Sequence, residues 1–115
     1  MARPTNDILG GTLDLLILKA LSRGRTHGYG VARWIEDATS DLLAIGESTL
    51  YPALHRLEER QLIDSEWGVS ENNRRAKYYR LTARGRRQLD TDAVVWRRYA
   101  GAVIAALSTG TRPVA

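Results

Sequence analysis

Apolar residues recur along this chain in helical, alternating and heptad rhythms, and each predicts a different element. Leu13, Leu15, Leu16, Ile17, Leu18 and Leu21 cover almost every side of a helix expected from Thr12 to Leu21. Thr12 is placed to cap it, and Asp14 lies near the positive end of its dipole. A helix greasy all round must be covered all round, so one face is expected in the local core and another, through Leu15 and Leu18, against a second copy of the chain. After a loop at Arg23-Gly24-Arg25-Thr26-His27-Gly28, Val31, Ala32, Ile35 and Trp34 point inward from a second helix over Tyr29 to Thr39. In a third, Leu50, Ala53, Leu54 and Leu57 share one face and leave Ser48, Tyr51, Pro52 and His55 on the other. Pro52 falls in or just beyond the first turn, where few backbone donors have partners inside the helix.

The rhythm then shortens. Leu62 to Trp67 and Ala76 to Leu81 alternate as paired strands, with Ile63, Trp67, Tyr79 and Leu81 toward the core. Between them lies the polar, cationic turn Glu71-Asn72-Asn73-Arg74-Arg75-Ala76-Lys77. Thr82 caps a final helix to Leu107, in which Leu89, Ala93, Trp96, Ala100, Val103 and Leu107 repeat at spacings of four and three. Such a seam calls for another helix, and a two-fold dimer packing last and first helices across its axis supplies one. The predicted fold class is mainly α within α+β: a winged helix-turn-helix, with three helices and a two-stranded wing, followed by a long dimerisation helix. Residues 1–10 are expected to form a flexible arm, 11–82 the winged domain, 83–108 the dimerisation helix and 109–115 a disordered tail.

Charge sharpens this picture. The net charge is +4, but residues 70–87 hold seven basic side chains (Arg74, Arg75, Lys77, Arg80, Arg84, Arg86, Arg87) against one acid, Glu71, leaving the rest mildly acidic. A basic segment on an acidic body points to a localised polyanion footprint. Apolar runs such as Leu15-Leu16-Ile17-Leu18 are far too short to span a membrane. The absence of cysteine agrees with a reducing cytoplasm, and no secretory signal is expected. An enzyme is not expected. With no cysteine and only His27 and His55, metal clusters and His-paired nucleophiles lack raw material. Gly46-Glu47-Ser48-Thr49-Leu50 lacks the second glycine of a nucleophile elbow, and Gly28-Tyr29-Gly30-Val31-Ala32-Arg33 lacks the last glycine of a dinucleotide loop. No cofactor and no metal are expected.

Four stretches in order carry a family resemblance: Gly11 to Leu18, His27 to Gly30, Ser48 to Glu58, and Arg74 to Thr82. The chain resembles a PadR-family transcriptional regulator of the short type, with a single C-terminal helix. That resemblance implies a homodimeric repressor whose third helix enters the major groove of duplex DNA while the wing touches the adjacent backbone; two such helices entering successive major grooves predict an inverted-repeat operator. It also implies, for some short members, an interfacial cavity lined by a Trp of the last helix that accepts planar aromatic molecules. Trp96 stands at a comparable place.

Base reading is assigned to Ser48, Thr49, Tyr51, Pro52 and His55, because a helix fits the major groove and reaches its distinct donor and acceptor pattern. Ser48 or Thr49 is equally a candidate N-cap. Backbone contact is assigned to Asn72, Asn73, Arg74, Arg75 and Lys77. Leu15, Leu18, Leu89, Ala93, Trp96, Ala100, Val103 and Leu107 are the expected dimer residues. Trp96 has two readings: a filler of the seam, or one of two symmetry-related indoles enclosing a flat cavity. The rival class is a winged-helix module that binds proteins or small molecules without DNA. The cationic wing and the polar third helix favour DNA.

Overall fold

The structure is a computed structural model that describes residues 4–110. Seven elements follow in chain order: α1 (Pro4–Ser22), β1 (Thr26–His27), α2 (Gly28–Ala38), α3 (Glu47–Glu59), β2 (Ile63–Val69), β3 (Arg75–Leu81) and α4 (Ala83–Ser108). The first helix begins well before Thr12, inside the stretch expected to be a flexible arm. Pro4 stands at its first position, where a missing N–H costs nothing because no partner lies upstream. Of the expected arm and tail, residues 1–3 and 111–115 lie outside the described residues.

One core joins the helices to the sheet. Leu13, Ile17, Leu18 and Leu21 of α1 meet Val31 and Ile35 of α2, Leu50, Leu54 and Leu57 of α3, and Ile63 and Tyr79 of the sheet. Helix α3 presents its apolar stripe as its spacing predicts, with Leu50, Ala53, Leu54 and Leu57 all buried. Pro52 is the sixth residue of α3, deeper than the first turn, so the Ser48 carbonyl forgoes the ladder bond that an N–H at this position would supply.

The sheet has three strands in the order β1-β3-β2, all antiparallel neighbours. Its edge strand, β1, lies where a plain loop was expected. Two residues are too short to carry an alternation, and they are held by pairing Thr26 with Tyr79 and His27 with Tyr78, far along the chain. On β2, Ile63 is buried but Trp67 is not: at 57% exposure it lies outside the core in which its alternation placed it. Trp67 does share the face of the hairpin that carries buried Ile63 and Tyr79, but the core does not extend as far as its position.

Helix α4 leaves the body. Thr82 caps it by accepting a hydrogen bond from the Gly85 N–H at 2.9 Å and donates from its hydroxyl to the Gln61 and Leu62 carbonyls. At Gly85 a Cβ would collide with the Leu62 carbonyl, so only glycine lets α4 start this close to β2. Leu89 closes the core. Beyond it only Asp92, Ala93 and Ala100 are even half-buried, and the molecule measures 66 × 33 × 21 Å. Two expected dimer residues, Leu18 and Leu89, are 1% and 7% exposed within the chain's own core. Neither is free to meet a partner.

Candidate nucleic-acid interface

Helix α3 starts at Gly46, which caps it without a side-chain bond. Ser48 and Thr49 therefore lie inside the first turn, and the N-cap reading of both is wrong. Ser48, Tyr51, Pro52 and His55 are exposed and Thr49 is half-buried, so the residues assigned to base reading do form one outward surface. His55 is not idle on it: its Nε2 lies 3.3 Å from a Glu59 carboxylate oxygen.

The start of α2 positions Tyr51. A Cβ at Gly28 would lie 2.7 Å from the Tyr51 hydroxyl oxygen, and one at Gly30 would collide with the Thr26 hydroxyl. His27 caps α2, its Nδ1 accepting from the Gly30 N–H at 3.0 Å. The ring of His27 lies 5.5 Å from that of Tyr78 and 6.3 Å from that of Tyr29. The His27-Gly28-Tyr29-Gly30 stretch thus has a local physical reason: a strand end, a capping ring and two sites without side chains that let Tyr51 lean on α2. Tyr29 itself is 65% exposed, with its hydroxyl accepting from Arg33 at 3.3 Å. That bond is the main reason the Arg33 guanidinium holds its proton even more firmly than usual.

The wing is a hairpin whose register pairs Ile63 with Leu81 through Val69 with Arg75. Its turn closes through the Asn73 N–H on the Ser70 carbonyl at 2.9 Å, and the Ser70 hydroxyl accepts from the Arg74 N–H at 3.3 Å. Asn73 takes φ of 60°, a left-handed conformation that asparagine tolerates better than most residues. Asn73 is therefore the turn former, with Asn72 exposed beside it.

The basic residues of the wing are not equivalent. Lys77 lies 3.8 Å from Glu58 of α3, which also accepts from the Ser65 hydroxyl at 2.6 Å. Arg80 is bound to Asp64 at 2.7 Å, and that hydrogen bond raises its already high pKa. Arg25 reaches Glu66 at 3.3 Å. Arg74 and Arg75 have no acidic partner among the described residues, so the free positive charge of the hairpin sits at its tip. Between tip, β1 and the start of α3 opens a broad cleft of about 1100 Å³, bordered by Tyr29, Tyr51, Trp67, Arg74, Arg75 and Lys77 among others. Sequence reasoning missed Tyr29 and Trp67 here. The exposure of Tyr29 carries no periodic signal, and that of Trp67 runs against an alternation that points it at the core.

A second exposed surface lies on α4. Trp96 is 42% and Leu107 79% exposed, with Val103 similar to Trp96. Val95, Tyr99 and Ile104 are exposed too, which makes the apolar face wider than the heptad seam alone. Ala93 and Ala100, one turn on either side of Trp96, are half-buried.

Comparison with known proteins agrees with this architecture. Residues 17–91 match the model of the Transcriptional regulator PadR-like family. A transcriptional regulator from Clostridium thermocellum is 32% identical, with a TM-score of 0.77 over 86% of this chain and 96% of that one. A PadR family transcriptional regulator from Eggerthella lenta is also 32% identical, with a TM-score of 0.75 over 92% of this chain and 90% of its own. The Escherichia coli transcriptional regulator YqjI is 34% identical over 70% of this chain, which spans only 37% of that longer protein. The chain belongs to the PadR-like family of transcriptional regulators.

Proposed function

We propose that this PadR-like regulator acts as a homodimeric repressor that binds duplex DNA at an inverted-repeat operator. The observation that carries the reading is the adjacency of two surfaces: the exposed polar face of α3, at Ser48, Tyr51, Pro52 and His55, and a hairpin tip whose Arg74 and Arg75 are not neutralised by the fold. Helix α3 would enter the major groove, the hydroxyls of Ser48, Thr49 and Tyr51 donating to phosphates or base edges and Pro52 meeting a thymine methyl. Arg74 and Arg75 would pair with phosphates, each releasing counterions and steepening the salt dependence. Lys77, shared with Glu58, would contribute less.

The second copy follows from α4. Its free half would leave Trp96, Tyr99, Val103, Ile104 and Leu107 in water, and each such side chain buried is worth about 2 kcal/mol. Ala93, Trp96, Ala100, Val103 and Leu107 would form the seam, and the half-buried Leu15 offers surface beside it. Such a dimer sets two α3 helices to enter major grooves roughly 34 Å apart. Trp96 paired with its symmetry mate, with Ala93 and Ala100 leaving room, would hold a small planar aromatic ligand that relieves repression by changing this spacing.

A gel-shift with the promoter region of this protein's own gene, at defined salt, tests the reading. Retardation as one discrete complex, lost on adding salt and resisting excess unrelated duplex, is expected; no retardation at low salt would refute it.

A further inference from the structure

Three cation–ring contacts line the sheet and the loop leading into it. Arg25 lies 4.3 Å from the centre of the Tyr78 ring, Lys77 5.9 Å from Tyr79, and Arg75 4.2 Å from Trp67. The first two cations also have an acid, Glu66 and Glu58 respectively. Arg75, among the described residues, has the indole and no acid. The difference matters chemically. A carboxylate that holds an arginine occupies its N–H fork and cancels its charge, whereas an aromatic face takes one side of the guanidinium plane and leaves both the edge donors and the charge free.

The pair also faces the right way. Trp67 lies on the same side of the hairpin as Ile63 and Ser65, and Arg75 on the same side as Lys77 and Tyr79. That is the side from which Ser65 and Lys77 reach Glu58 of α3, so Arg75 stands over the cleft between wing and recognition helix. Trp67 is 57% exposed, more than packing the core would require.

We propose that Trp67 is a positioning residue for DNA binding: it holds the Arg75 guanidinium, un-neutralised, in one orientation over the cleft, so that a phosphate meets a preset donor fork. Arg74, with no such platform, supplies charge without orientation. The gain is preorganisation, because an arginine already confined to one geometry loses less rotamer freedom on binding. This inference rests on the DNA-binding reading above.

The test is a double-mutant cycle on Trp67→Ala and Arg75→Ala, with Trp67→Phe as the conservative variant, measured on a mixed-sequence duplex of roughly 30 base pairs across a salt series. Trp67→Ala is expected to weaken binding roughly three- to tenfold with the salt slope unchanged, since no charge is lost. Arg75→Ala should lower the slope by about one unit. The double variant should bind no worse than Arg75→Ala, and Trp67→Phe should restore most of the affinity. In the DNA-free protein, the Arg75 Hε resonance should lie upfield under the indole and return to its ordinary position in Trp67→Ala. Additive losses would mean that Trp67 touches DNA by itself and would overturn the positioning role, as would an unshifted Hε resonance in the wild type. A wild-type protein that binds no duplex while the Hε shift persists would remove the DNA-binding reading, and this role with it, while leaving the stack intact.

Discussion

The cleft between α3 and the wing and the free half of α4 are both solvent-exposed, and they differ in what their exposed atoms lack. Around the cleft, ion pairs and hydrogen bonds within the chain already engage several polar groups: Glu58 holds Ser65 and Lys77, and His27 caps α2. Among the described residues of the hairpin, unpaired positive charge is left at the tip, on Arg74 and Arg75. Along the outer half of α4 one exposed face is apolar, at Trp96, Tyr99, Val103, Ile104 and Leu107, and among the described residues none buries it. On the reading proposed above, the cleft is a surface that a single chain completes for an anion, and α4 is one that a second copy completes.

The largest expected effect breaks the α4 side. Replacing Val103 by Asp puts a charge into the proposed seam; the dimer should weaken by about 100-fold or more, read by sedimentation, while the fold of the winged domain persists by circular dichroism. Loss of helicity throughout would show that α4 is instead part of the core. Next comes Gly85→Ala, which forces a methyl group into the Leu62 carbonyl and should destabilise the fold by about 2–4 kcal/mol in denaturant unfolding. Gly101, with open space around it, is the control: Ala there should leave stability unchanged or raise it by about 0.5–1 kcal/mol.

On the cleft side, Arg74→Ala with Arg75→Ala should flatten log affinity against log salt by about two units with folding intact. An unchanged slope would remove the wing from DNA binding. The smallest effect concerns alkaline pH. Burial pushes the Tyr79 phenol above its usual range, with the nearby Glu58 adding to the shift. The neutral form is therefore favoured in the fold. Its contribution is fully present below the ordinary tyrosine pKa of about 10, and it is lost as pH rises through the higher folded value. Tyr79→Phe should reduce the loss of stability in that alkaline window, measured by melting temperature against pH.

Much of both surfaces was legible in the sequence because both rest on periodicity. Leu50, Ala53, Leu54 and Leu57 fix which face of α3 is outward, and the four-three spacing from Leu89 marks α4 as a packing helix. What escaped depends on contacts between distant segments or on where an element ends. The β1 strand exists only through β3. Lys77 looked like a free cation because Glu58 is distant in sequence. Trp67 carries the right alternation, but its face opens there onto the cleft rather than the core. Leu18 and Leu89 fit an interface pattern equally well as a core pattern, since a stripe does not say which neighbour covers it. Part of the expected flexible arm belongs to α1, which starts at Pro4, a residue suited to a helix start, and Ser48 and Thr49 resembled caps because the true cap, Gly46, uses no side chain.

The central claim is that two copies join through α4 to offer paired recognition helices to one duplex. Sedimentation of the protein mixed with the promoter duplex measures it most directly. The account predicts a complex whose protein mass is twice 12.8 kDa on each duplex. A protein that stays at 12.8 kDa at micromolar concentration and sediments apart from the DNA would contradict it.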